Sequence, residues 1–511
     1  MRRFLDKYSV LSYFFLIFYF VLHESNANYG LIKWSTISKL TLFYTAIAIG
    51  LHLLAWLFFR NLRQSSFLTL ILMMFFLFFG ALHDTLKTVA ANSFFGSHIF
   101  IFSLIGLLSL VTVIVIKKYL KTGHVLFPFA ACLVIILFLW ELLHLGSNVV
   151  LERANDNNLA RGDLDYKFGR TGNAEKPDIF FIVFDSYTSS TCLLNDFQYS
   201  NELDSLLIKK GFFIARNSRS NYPLTPFSIA SILNMGYLRE VPMDAKATAK
   251  AMLQGASSVY ESKLPAILHG EGYRIYNYSP FDIRNHSAIN LDYFGPLSKR
   301  LIDEQTLLGR FSAHLFWNFT VKNFWTGKIH VPKSYPKYRE TYIQDYITDN
   351  VEGLMSVANH EDSVPRFVYC HIMLPHEPYY FKADGSFQPD SLLFDKSNPK
   401  GKFLAQTIYT NDIIKQIVDQ LIRQRKRPYA VILQGDHGFR DFDNKSEKDK
   451  IFEILNAYYF SDNQYNSVYN SITPVNSFRA VLNKYFKQDF SLLKDSSIYI
   501  KDPSFNFEKV N

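Results

Sequence analysis

The sequence predicts a five-helix transmembrane domain followed by an α/β domain whose central, largely parallel sheet lies between helices. Three observations predict it. Five apolar runs of membrane-crossing length are confined to the first 150 of 511 residues. Basic residues are unevenly shared between the alternate loops that join them. After residue 176 the pattern changes to short, unbroken apolar runs separated by helical stretches.

The five runs cover 8–22, 40–59, 67–86, 97–116 and 124–143. Each is close to the roughly 17–25 residues a helix needs to cross a bilayer. Arg2, Arg3 and Lys7 precede the first run, as in a signal peptide. A signal peptide needs a small-residue cleavage site and is not normally followed by four more spans, so the first run reads as an uncleaved span. With the N-terminus inside, the inner segments hold Arg2, Arg3, Lys7, Arg60, Arg63, Lys117, Lys118 and Lys121. The outer loops hold only Lys33, Lys39 and Lys87. That bias follows the positive-inside rule. Five spans that start inside end outside, which places the C-terminal two-thirds on the outer face. Glu141 and His144 lie near the outer end of the fifth span. Intramembrane ionisable groups mark functional sites, but these two are close enough to the interface to snorkel, and we read them so.

Residues 1–150 carry 11 Lys/Arg against 4 Asp/Glu, so +7 of the formal +9 sits there. The remainder is nearly neutral, which excludes a nucleic-acid-binding surface on the soluble part. Aromatic residues make up 16% of the chain, too many for disorder. Three cysteines exclude a disulfide scaffold. Cys192 and Cys370 read as ordinary buried thiols.

The expected domains are 1–147 in the membrane, a polar linker at 148–176, and a catalytic domain at 177–511. In the last, Ile179–Phe184, Tyr273–Tyr278, Phe367–Met373, Tyr429–Leu433 and Ala457–Phe460 are short apolar runs. Such runs mark strands buried on both faces. Residues 403–422 carry apolar side chains at helical spacing. Strands alternating with helices argue for a parallel α/β sheet.

Ligands of such sheets bind beyond the carboxyl ends of the strands. The run DIFFIVF ends in Asp185. RFVYCHIMLP leads to His376. YAVILQG ends in Asp436 and His437, followed by Gly438. A lone Asp at a strand end is more often a cap or turn residue. The Asp-His pair on a Gly-flanked turn points to a metal site, because glycine lets the backbone approach an ion. Thr225 stands between a Pro-containing loop and an apolar helical stretch, Phe227–Leu238. There it is either an N-cap or a hydroxyl placed to attack an anion at a helix N-terminus.

IFFIVFDSYTSS, NYPLTPFSIASILNMGYL, HIMLPHEPYYF and ILQGDHGFR, in this order, resemble the alkaline phosphatase superfamily on its sulfatase-like branch. The closest architectural likeness is to lipoteichoic acid synthases and phosphoethanolamine transferases, which share five spans and an outward-facing catalytic domain. The resemblance implies an alkaline-phosphatase-like fold in a multi-pass protein of the bacterial inner membrane, with its N-terminus cytoplasmic and its catalytic domain periplasmic. It implies one divalent ion, Mn²⁺ or Zn²⁺ with Mg²⁺ as a further option, held by Asp185, Thr225, Asp436 and His437. Thr225 takes the place of the nucleophile. His376 and Arg284 take substrate-binding places, and His371 and His286 are further candidates without an assignment. The implied partners are a membrane phospholipid donor and a glycan or glycolipid acceptor.

The departures carry information. Thr225 is followed by Pro226, with Ile229 where sulfatases have an arginine, and threonine cannot mature to formylglycine. Phosphoryl transfer through a phospho-threonine is therefore favoured over sulfate release. Asp185 is followed by Ser186 rather than a second acid, which argues against a complete second metal site. Phosphoethanolamine transferases have several disulfides in the outer domain, and only Cys192 and Cys370 lie there. Two alternatives remain: a phosphoesterase, or a non-catalytic lipid sensor with the same fold.

Overall fold

The structure, a computed structural model, describes residues 11–89, 98–119, 125–151, 159, 168–169, 176–238, 249–290, 299, 301–303, 305–314, 334–360, 362–389, 397–423, 425–442 and 445–500. Arg2, Arg3, Lys7, Lys121 and most of the expected linker lie outside the described residues. The chain divides into two compact units. One is Met1–Asn157 with Gly295–Val331, and the other is Asn158–Phe294 with Pro332–Asn511.

The first unit contains α1 (Ser12–Ala27), α2 (Trp34–Phe59), α3 (Leu62–Leu77), α4 (Phe79–Val89), α5 (His98–Tyr119) and α6 (Leu126–Val150). Among the described residues, three helices are long and apolar enough to cross a membrane: Trp34–Phe59, Phe100–Tyr119 and Leu126–Val150. The third apolar run is realised as α3 and α4, bent by 53°. As one broken span they make a fourth. The first run is the 16-residue α1. Lys117 Nζ lies 4.5 Å from the Phe58 ring centroid, so the ends of α2 and α5 meet.

Glu141 does not snorkel. It is buried, with His23 Nδ1 2.8 Å from Oε1 and the Asn26 amide donating to Oε2 at 2.7 Å. Partners on α1 make burial between helices cheaper than reaching the interface. The segment after residue 295 also packs within this unit. Tyr44 donates to Asp303 Oδ1 at 2.6 Å, and Gly80 N–H donates to the Gln305 carbonyl at 2.8 Å. Ile302 is fully buried in the same apolar cluster as Leu40, Tyr44 and Leu77.

The second unit is built on a six-stranded mixed sheet. In chain order the strands are β1 (Asp178–Phe184), β2 (Phe213–Ile214), β3 (Arg274–Tyr278), β4 (Arg366–Ile372), β5 (Tyr429–Gly435) and β6 (Asn456–Phe460). Their spatial order is β2-β6-β5-β1-β4-β3. β5, β1, β4 and β3 are mutually parallel, and β6 runs antiparallel to β5 and β2. All seven residues of β1, β4 and β5 are buried.

Side-chain alternation explains those unbroken runs. Phe180, Ile182 and Phe184 join Val368, Cys370 and Ile372 of β4 and Val431 and Leu433 of β5 in one core. That core is covered by Leu354 of the helix Ser334–Asn359 and by Ile414, Ile417 and Val418 of the helix Pro399–Leu421. On the other face, the Phe181 ring lies 5.1 Å from Phe478 of the helix Pro474–Phe486. The Gln434 amide donates to Ser477 of that helix at 3.1 Å. Both faces are therefore covered, as parallel sheets demand.

At its start the sheet is pinned by a buried ion pair. Arg366 N–H donates to Asp178 Oδ1 at 3.0 Å and its Nε to Oδ2 at 3.1 Å. At the other end, Phe184 is level with both Ile372 and Gly435. Whatever follows β1 is thereby set between the ends of β4 and β5.

Candidate metal centre

Asp185 is the first residue past β1, and its N–H donates to the Ile372 carbonyl at 3.0 Å. Ser186 then takes a left-handed backbone, with φ of 68°, and turns the chain sharply. That strained turn points the Ser186 N–H back at Asp436 Oδ1, 3.0 Å away. The His437 N–H donates to the same oxygen at 3.0 Å. Two backbone donors thus hold one carboxylate oxygen of Asp436 and leave Oδ2 facing inward.

The glycines flanking this pair are sterically required. A Cβ at Gly435 would lie 2.3 Å from the Tyr187 carbonyl, and one at Gly438 would lie 2.5 Å from that of Glu453. His437 Nδ1 lies 2.9 Å from the Gly438 carbonyl, to which it donates, so Nε2 carries the lone pair.

The side chains converge. His437 Nε2 is 3.5 Å from Asp185 Oδ1 and 3.7 Å from Asp436 Oδ2. His371 Nε2 is 3.4 Å from Asp185 Oδ2, and His376 Nε2 is 4.0 Å from Asp185 Oδ1. Asp185 Oδ1, His371 Nε2, Asp436 Oδ2 and His437 Nε2 are all buried and make no hydrogen bond among the described residues. A buried polar atom without a hydrogen bond costs about 1–3 kcal/mol, and four in one place need an explanation. A divalent cation supplies one.

The spacing fits. Ligands bonded at about 2.0–2.2 Å around a tetrahedral ion stand roughly 3.3–3.6 Å apart. Imidazole with carboxylate suits Zn²⁺, and the carboxylates suit Mn²⁺ or Mg²⁺.

Burial pushes the Asp185 carboxyl up, but the imidazoles of His376, His371 and His437 outweigh it and hold it below the usual carboxylate range. Burial lowers His437 despite Asp436 and Asp185, with Arg440 and His376 adding to the effect. Both shifts favour the form in which each group ligates a metal, carboxylate and neutral imidazole.

Thr225 is the first residue of the helix Thr225–Asn234, with Leu224 at the N-cap position. Its hydroxyl does not cap the helix. One turn on, Ser228 Oγ donates to the Asp436 carbonyl at 2.7 Å and ties this helix start to the end of β5.

His376 lies past the end of β4 and is partly exposed. Its Nδ1 contacts the Glu377 carbonyl and its Nε2 accepts from Arg440. Gln406 holds its backbone carbonyl at 2.8 Å.

Asp185, Asp436, His437 and His376 are therefore brought together, with His371 beside them. Arg284 pairs with Glu261 and is more than half exposed. His286 packs on the His269 ring at 5.2 Å. Sequence reasoning passed over Arg440, although it follows GDHGF directly.

The sulfatase family model matches residues 177–479. Several solved structures are similar to the chain. One is the integral membrane lipooligosaccharide phosphoethanolamine transferase A of Neisseria meningitidis, at 11% identity and a TM-score of 0.37, covering 95% of this chain and 96% of that one. Another is the zinc complex of the C-terminal periplasmic domain of EptC from Escherichia coli, at 10% identity and a TM-score of 0.39, covering 66% of this chain and 95% of that one. A third is the periplasmic domain of the phosphoethanolamine transferase EptC of Campylobacter jejuni, at 11% identity and a TM-score of 0.35, covering 66% and 96%. No curated protein sequence matches the chain.

Proposed function

Because the chain belongs to the sulfatase family of enzymes, we propose that it is a metal-dependent phosphotransferase of the bacterial inner membrane, moving a phospho-head-group from a lipid donor to an envelope glycan or glycolipid. The observation that carries this reading is the set of four buried, unbonded ligand atoms at the carboxyl ends of three neighbouring strands, beside the start of the helix Thr225–Asn234, which Ser228 ties to the Asp436 carbonyl.

Asp185, Asp436 and His437 would hold the ion, with Thr225 completing the set. When bound, such an ion lowers the pKa of an alcohol and polarises a phosphoryl oxygen. Thr225 Oγ1 attacks phosphorus. The bond from phosphorus to the donor alcohol breaks, and that alcohol leaves carrying the proton that the Thr225 hydroxyl gives up. The acceptor hydroxyl then displaces Thr225 by the reverse geometry. The helix N-terminus at Thr225 favours the negative charge that develops there. His376 faces Asp185 and Arg440 donates to its Nε2, so the pair would clamp the transferring phosphate rather than move a proton. Five spans with the N-terminus inside would place the domain at the outer face, next to a lipid donor. Catalysis then comes mainly from positioning and charge.

The test is mass spectrometry of the Thr225 peptide after incubating full-length protein with phospholipid vesicles. A phospho- or phospho-head-group adduct is expected in the wild type and absent in Thr225→Ala. Thr225→Ser keeps a hydroxyl and should retain some adduct. Wild type without adduct, or a Thr225→Ala variant that fully complements a deletion strain, refutes the enzyme reading.

A further inference from the structure

We propose that His371 is a direct ligand of the same ion, so that the chain offers two carboxylates and two imidazoles before Thr225 is counted. This rests on the metal-centre reading above and extends it by one residue.

His371 is the sixth residue of β4, fully buried in a strand that is otherwise apolar after Arg366. A histidine there needs a use for both ring nitrogens. Nδ1 has one, since it lies 3.0 Å from the Tyr369 hydroxyl. Nε2 makes no hydrogen bond among the described residues and is aimed at Asp185 Oδ2 from 3.4 Å. The His371 backbone is held as well. Tyr346 and Asn350 donate to the His371 carbonyl at 3.0 and 3.3 Å, and the Phe281 ring lies 6.5 Å away. The Tyr369 contact at Nδ1 orients the ring, as the partners of metal-bound histidines do.

Asp185, His371 and Asp436 can place one ligand atom each within 4.8 Å of one another, and so can Asp185, His376 and His437. Two ions sharing Asp185 would fit that geometry. Charge decides against it. Asp185 and Asp436 neutralise one divalent ion, whereas a second would leave two positive charges in a buried site, a costly arrangement. His371 and Asp436 then belong to the ion of Asp185 and His437, and His376, paired with Arg440, stays with the substrate.

The experiment uses full-length protein in detergent, stripped and reloaded with Zn²⁺ alone. X-ray absorption at the zinc edge should count two imidazoles in the wild type and one in His371→Gln. Elemental analysis should give one equivalent of zinc in the wild type. Zinc affinity of His371→Gln should fall by more than about 100-fold, beyond the roughly 10–100-fold expected if His371 merely oriented Asp185. One imidazole in the wild type overturns the proposal, and that measurement needs no variant to fold. A smaller affinity loss, or two zinc equivalents, overturns it too. A wild type that binds no zinc removes the metal-centre reading itself.

Discussion

Asp436→Asn separates the metal role of this residue from its structural one. Asn keeps an oxygen for the Ser186 and His437 N–H groups, each 3.0 Å from Asp436 Oδ1, and loses only the inward-facing oxygen. In metal-free protein the variant should therefore match the wild type within about 1 kcal/mol. Asp436→Ala leaves both N–H groups buried and unpaired, at about 1–3 kcal/mol each, so it should lose about 2–6 kcal/mol even without metal. On adding Zn²⁺ the order changes. If losing a ligand weakens binding about 100-fold, roughly 2.7 kcal/mol of metal-conferred stability disappears from the Asn variant. Tryptophan fluorescence cannot follow this, because Trp34, Trp56, Trp140, Trp317 and Trp325 all fall in the first unit. Hydrogen exchange of peptides spanning β1 and β5 is the assay. Protection there should rise with Zn²⁺ in the wild type and stay flat in Asp436→Asn. Equal zinc-dependent protection in both proteins refutes the reasoning.

Further expectations follow from other sites. Arg366→Ala removes the bidentate partner of the buried Asp178 carboxylate, leaving Arg427 Nε at 3.7 Å from Oδ1, and should cost about 1.5–3 kcal/mol, read as lost exchange protection in β1 and β4; a loss under about 1 kcal/mol would show that the pair does not hold the sheet start. Burial pushes the Cys192 thiol up to about 12 and raises Cys370 as well, so neither should react with a thiol reagent at neutral pH in native protein. Both should label after unfolding without reductant, since both are free, and failure to do so would reveal a disulfide. A periplasmic reporter fused after Asn148 should be active and a cytoplasmic one inactive, and the reverse result would overturn the topology.

Much of the catalytic unit was legible because its strands are covered on both faces. Five apolar runs became β1, β3, β4, β5 and β6 within one or two residues at their ends. β2 escaped because two residues carry no pattern. The positions of Asp185, Asp436 and His437 were legible for a related reason, since a polar residue that ends an apolar run sits where a parallel sheet opens. Thr225 was ambiguous between cap and nucleophile, and only the backbone shows Leu224 in the capping position.

Other features had no local signal at all. The burial of Glu141 depends on Asn26 and His23, more than a hundred residues away. The grouping of Gly295–Val331 with the first unit rests on contacts such as Tyr44 with Asp303, which no composition shift announces. His371 was a candidate without an assignment until β4 was set beside β1, with His371 level with Val183. Periodicity records which faces of an element meet apolar neighbours, so the sequence by itself determined the strands and the positions at their ends. Which side chains converge on one point depends on strand order and register, distances across the chain that only the tertiary structure decided.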